Sequence, residues 1–305
     1  MQYMKIFVFI SVLCLFPIAS YCNEKCEYAD VVSALRTNCS DINIELQQIK
    51  KSEIANTVVT GVGTAAAGGA LVAGIKKKDF DKKAEELDKQ MENVKNMTSQ
   101  EFVSFLKNMA RYQELKEQYN SLCKMKYDYQ ARATKLGNVR TGLMAGNTVT
   151  AVAGTVISHK NQSKSDTIKD MIQTCLDTIK DNEQKIGQTM FDCERKQYEN
   201  LKNAVSKCRE LSTDNMDKVF RQNKISAISS GINIGTGAAG TITSALANQN
   251  KYDQKTKNLN TAANVLAGTS AVASGVSTVF NATTLKSINS NLRASQSCEE
   301  ALSKL

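Results

Sequence analysis

Proline occurs once in this chain, at Pro17, and none of the 288 residues that follow is proline. At an average usage of about 5%, roughly fourteen would be expected. Proline lacks the backbone N–H, and its ring collides with the preceding helical turn, so helix interiors reject it more strongly than any other residue. A long chain without it is expected to be all-α. The architecture expected is an elongated bundle of about five to six long helices, partly amphipathic and coiled-coil-like, partly lined by small residues.

The N-terminus carries Lys5, an apolar run from Ile6 to Ala19, and small residues at its end. The run is too short to span a bilayer comfortably, and the pattern is that of a secretory signal peptide. Cleavage is expected after Ser20, with a cut after Cys22 as the alternative; Tyr21 before Cys22 does not suit lipidation. The expected layout is a signal peptide over 1–20 and one helical-bundle domain over 21–305. Residues 21–212 hold two small-residue segments, and 213–305 form a C-terminal helical hairpin with two more. The chain is expected to be exported to a periplasmic or extracellular space, with membrane association open.

Of nine cysteines, Cys14 leaves with the signal. Cys22, Cys26, Cys39, Cys123, Cys175, Cys193, Cys208 and Cys298 remain, an even set that suggests disulfides in an oxidising compartment. Buried free thiols are the alternative. The spacings are too wide for a zinc site or a redox CxxC, so no metal is expected.

Polar stretches alternate with small-residue ones. Val31, Leu35, Cys39, Ile42, Leu46 and Ile49 keep the three-four spacing of one helical face, as do Ile168, Ile172, Cys175, Ile179, Ile186, Cys193, Leu201, Val205 and Cys208. Asn182 interrupts the second run, and a buried Asn there would fix register. Thr98 and Glu101 form a capping box, so a helix is expected to begin there. Breaks are expected near 76–78 and 159–163.

The small-residue segments are 54–75, 137–158, 225–247 and 259–280, and Arg140 is their single charge. Taken every four residues, they present Gly61 and Gly69, then Gly142, Gly146 and Gly154, then Gly231 and Gly235, then Gly275. A face of hydrogens and methyls lets another backbone approach closely, which offsets the roughly 1 kcal/mol glycine costs in a helix. Gly63–Gly68 and Gly235–Gly240 resemble each other, which duplication or biased composition explains equally well.

Gly235-Thr-Gly-Ala-Ala-Gly240 spells GxGxxG, but it continues a helical face instead of following a strand, so it is not a nucleotide site. A membrane span fits the lengths, but the many Ser, Thr and Asn residues weigh against it unless the four segments insert together with their hydroxyls inside. The leading expectation is a soluble core of closely approached helices, with the cysteines stapling its other end.

Formal net charge is +9, but bases and acids are interspersed, and no nucleic-acid face emerges. The single histidine, His159, falls in an expected loop, and no hydrolase, zinc or phosphate-loop motif occurs. An enzyme is therefore not expected, nor a cofactor. Asn38, Asn96, Asn161 and Asn281 begin N-x-S/T triplets. The function expected is a non-enzymatic structural or protein-interaction role in the envelope or outside the cell, through protein partners or self-association. The alternative is a membrane-inserting pore or anchor built from the four segments.

Overall fold

The computed structural model describes residues 28–101, 109–192, 195–248 and 254–305. The signal peptide, Cys22, Cys26 and Cys193 lie outside these. Every element among the described residues is a helix: α1 Tyr28–Cys39, α2 Ile42–Glu101, α3 Met109–Asp181, α4 Glu183–Asp192, α5 Arg195–Cys208, α6 Thr213–Ala247 and α7 Gln254–Ser303. The all-α expectation from the missing prolines holds.

Two expected breaks and one expected helix start are absent. α2 runs unbroken through Lys76–Lys78 and through Thr98, so the capping box starts no helix. α3 runs through His159–Ser163, which puts the exposed His159 on a helix and not in a loop. Neither site holds glycine or proline, and charge alone does not end a helix. Lys77 is buried and reaches Asp81 one turn on at 2.6 Å, reinforcing the helix it was expected to end. Breaks fall instead where side chains bond the backbone. Asn182 gives its amide to the Thr178 carbonyl between α3 and α4, so it marks a joint and not a buried register point. Ser212 caps α6 by accepting from the Asn215 N–H, and Asn291 brackets it by bonding both its N–H and its C=O.

The chain forms two compact units, each assembled from separate stretches. The first comprises 1–47, 167–215 and 290–305. Its interior is conventional: Val31, Leu35, Ile42, Leu46, Ile168, Ile172, Ile179, Leu201 and Leu302 are buried. Cys39 pairs with Cys175, and Cys208 with Cys298. These bonds close loops of 136 and 90 residues, which the chain-entropy picture values on the order of 4–5 kcal/mol each. The Tyr28 hydroxyl and the Arg36 guanidinium hold the C-terminal carbonyls of Leu305 and Leu302.

The second unit comprises 48–166 and 216–289. Its α2, α3, α6 and α7 portions pack up-down-up-down in a ring. Asn56 bonds Ser158 (α2 to α3), Ser158 bonds Ser226 (α3 to α6), Ser226 bonds Ser277 (α6 to α7), and Asn281 bonds Thr60 (α7 to α2). Buried positions alternate by three and four. On α6 the seam runs Met216, Val219, Asn223, Ser226, Ser230, Asn233, Gly237, Gly240, Ser244 and Ala247, with Ala227 and Ser229 also buried at its flanks. This is the spacing that keeps one seam facing a nearly parallel neighbour.

Candidate functional site

The second unit is built inside out. Of the 23 buried polar or charged residues among those described, all but Asn291 and Ser295 belong to it. Within the four small-residue segments, Met144 is the one large buried hydrophobic among the described residues; the remaining buried apolar positions there are alanines. The branched aliphatics point outward instead. Of the 23 exposed large hydrophobics among the described residues, 18 fall in the four segments, among them Val58, Val62, Val149, Val156, Ile228, Ile242, Val272 and Val279. A water-facing domain buries such side chains and exposes amides, because each buried methylene contributes about 0.8 kcal/mol.

The interior polar groups are hydrogen-bonded in layers. In the middle, Asn147 and Asn233 exchange bonds, each amide donating to the other's oxygen at 2.7 and 3.1 Å. Ser270 and Ser274 of α7 complete this layer: Asn147 donates to Ser270 at 2.7 Å, and Asn233 to Ser274 at 2.6 Å. On one side lies the serine layer of Ser158, Ser226, Ser230 and Ser277. On the other, Arg140, the only charge within the segments, is fully buried and donates to Asn260 and Asn264 at 3.0 and 3.1 Å. Its two terminal nitrogens are thus bonded while Nε–H is left without a partner, a state far less costly than facing hydrocarbon with none.

One residue before the first segment, Glu53 is buried and accepts from the Asn161 amide. Burial pushes its pKa from 4.5 up to about 7, and bonds from Asn161, Asn223 and Asn56 pull the other way. Beyond the other end of the segments, the exposed Glu85 carboxyl is held below its usual value, chiefly by the hydrogen bond from Lys257.

The exposed aliphatics form a belt. From Ile54 to Ile75 on α2 and from Ile225 to Leu246 on α6, a rise of 1.5 Å per residue makes it about 32 Å tall. On α3, Val139 to Val156 spans about 26 Å. Hydrocarbon cores are about 30 Å thick. Lysines border the belt: Lys50 and Lys51 before Ile54, Lys76–Lys78 after Ile75, Lys135 before Val139 and Lys160 after Val156. Two described stretches, Tyr28–Met97 and Gln254–Ser303, are long and apolar enough to cross a membrane, and 33% of the most apolar window in each is buried.

The glycines chosen from the sequence divide unevenly. Gly69 and Gly154 do meet neighbours: a Cβ on them would lie 3.1 Å from Leu143 and 3.0 Å from Thr60. Gly61, Gly142, Gly146, Gly231, Gly235 and Gly275 face open space. Close approach occurs at Gly63, Gly74, Gly237 and Gly240, where a Cβ would come within 2.5 Å of a side-chain atom on another helix, and at Gly137, where it would meet Asn248 just past the end of α6. Four residues turn a helix 400°, so a stripe taken every fourth residue drifts 40° per step around the surface. From buried Ala227 it has turned outward by Gly231 and Gly235, and it returns to the interior only at Ala247.

Among the cysteine candidates, Cys39, Cys175, Cys208 and Cys298 are brought together in two pairs, and Cys123 is a half-buried free thiol on α3. It belongs to the second unit, and the four paired cysteines to the first. Asn161 and Asn281 of the N-x-S/T triplets are buried in the interior network. No group of acidic, histidine or cysteine side chains able to hold a metal occurs among the described residues. Comparison with protein families, with characterised proteins and with solved structures returns no match to the chain.

Proposed function

We propose that this is an exported, non-enzymatic helical protein that anchors in a lipid bilayer through its four small-residue segments. The observation that carries this is the inversion of the second unit, with amides, hydroxyls and Arg140 inside and valines and isoleucines outside. In hydrocarbon the aliphatic belt is at home, and the asparagine, serine and arginine layers hydrogen-bond one another away from lipid. The height of the belt and its lysine borders agree with this, since lysines at span ends place their charge at the interface.

Four single spans return the chain to its starting face. Cys39, Cys175, Cys208 and Cys298 then share one side, as bonded pairs must, and Cys123 lies across the membrane from them. Lys76, Lys77, Lys78, Lys82 and Lys83 directly follow the first segment, on the side that also holds Cys123; basic clusters of this kind favour the cytoplasmic face. That assignment agrees with disulfides on the exported side. The interior is filled, with Asn147, Asn233, Ser270 and Ser274 exposed by 3% or less, so a closed anchor is favoured over an open pore.

Fractionation tests the proposal. The full chain is expected in the membrane pellet after a carbonate wash and to require detergent for release. Recovery as a monodisperse species in plain buffer refutes it and returns the chain to the soluble, partner-binding reading.

A further inference from the structure

Where the belt meets its lysine border between α2 and α3, a surface groove of about 480 Å³ is lined by Lys76, Lys83, Arg132 and Lys135, with one carboxylate, Asp79. Its remaining walls are Phe80, Leu136 and Val139, and Val139 is the first outward aliphatic of α3. Each cation has a distinct state. Lys83 lies 5.7 Å from the ring centres of both Phe80 and Tyr129, which stack on each other at 5.8 Å. Arg132 lies 6.0 Å from the Phe80 ring and reaches Asp128 at 2.9 Å. Lys76 and Lys135 have no ion-pair partner among the described residues.

A second cavity, on the other side of α2, is a poorer anion site. Of its four lysines, Lys77 is paired with Asp81, Lys82 with Glu86 at 3.8 Å and Lys257 with Glu85 at 2.8 Å, which leaves Lys78, and it has two carboxylates, Asp81 and Glu85, in its lining. The first groove therefore combines unneutralised positive charge, an aromatic platform that fixes Lys83, and an apolar wall continuous with the belt.

We infer that this groove binds the phosphate-bearing headgroup of an anionic phospholipid. The phosphate sits among Lys76, Lys83, Arg132 and Lys135, and the acyl chains lie along Val139 and Ile75. The inference rests on the membrane reading above and adds a ligand to it. Continuity of the groove with the aliphatic belt selects a lipid over a free phosphate ion, which has no use for Val139. Basic residues at a membrane surface each contribute roughly fivefold to anionic lipid binding, so removing two is expected to weaken it about 30-fold at low salt.

The test uses the full chain in detergent, titrated with phosphatidylglycerol and phosphatidylcholine and read by native mass spectrometry. Retention in phosphatidylcholine vesicles after a carbonate wash is checked first. The expected result is a preference of at least tenfold for phosphatidylglycerol, largely lost in Lys76→Gln/Lys135→Gln and kept in Lys50→Gln/Lys51→Gln at the opposite border. Equal binding of the two lipids, or equal losses in the two double variants, overturns the site. Displacement of phosphatidylglycerol by millimolar inorganic phosphate overturns the lipid assignment. A chain that keeps its hold on vesicles but shows no headgroup preference fails the site alone, and one that washes off fails the membrane reading with it.

Discussion

Val272→Asp separates a lipid-facing belt from a water-facing one. Val272 is 69% exposed near the centre of the 259–280 segment. Valine and aspartate have similar helix propensities, so the backbone contributes little to the difference. In water an exposed substitution of this kind changes stability by no more than about 0.5 kcal/mol. At a span centre, aspartate costs about 2.5–3.5 kcal/mol and the lost valine about 0.3 more, so the expected destabilisation is about 3 kcal/mol, roughly a 100-fold shift in equilibrium. The measurement is SDS unfolding of the full chain in bicelles, followed by far-UV circular dichroism. Ile44→Asp is the internal control: Ile44 is 55% exposed in the first unit, outside the belt, and is expected to move by less than about 0.5 kcal/mol. Two small and equal effects refute the lipid-facing assignment.

Gly142→Ala and Gly235→Ala, which place a methyl in open space, are expected to stabilise by about 0.5–1 kcal/mol each in the same titration. Gly74→Ala, whose Cβ would run into the Asn264 side chain, is expected to destabilise; a loss at Gly142 as well would mean that another backbone covers it. Because folding raises the pKa of Glu53 from 4.5 to about 7, its contribution is fully present below about pH 4.5 and lost as pH rises through 7. Stability from this group is expected to fall by about 3 kcal/mol across that window, and Glu53→Gln to flatten the profile. In sealed right-side-out vesicles, a membrane-impermeant maleimide is expected to miss Cys123 until the bilayer is opened; labelling of Cys123 in intact vesicles refutes the four-span topology.

The helical content and the aliphatic seam of the first unit were legible because two strong signals agreed: no proline, and Val31, Leu35, Ile168 and Ile172 at helical spacing. The helix breaks were less so, because runs of charge at Lys76 and His159 resemble turns but lack a residue that forces one. The interior of the second unit was the hardest to see. In segments where most residues are small, many stripes look alike, and Gly61–Gly69 or Gly231–Gly235 look as credible as the true seam. Asn56, Asn147, Asn233 and Asn281 held the missing signal. Each is a large polar residue among small ones, and tracing them by alternating threes and fours leads through Gly63, Gly154 and Gly240. That path also leaves the valines outside.

The interior ladder also constrains how the protein comes into being. The first and last small-residue segments lie in stretches long and apolar enough to cross a bilayer, and the two between them hold Arg140 and Asn233. Until synthesis reaches Ser270 and Ser274, Asn147 and Asn233 lack half of their layer. The newborn chain thus carries an unfinished seam that only its final helix closes, and a truncation before residue 270 would leave those amides for cellular quality control to find.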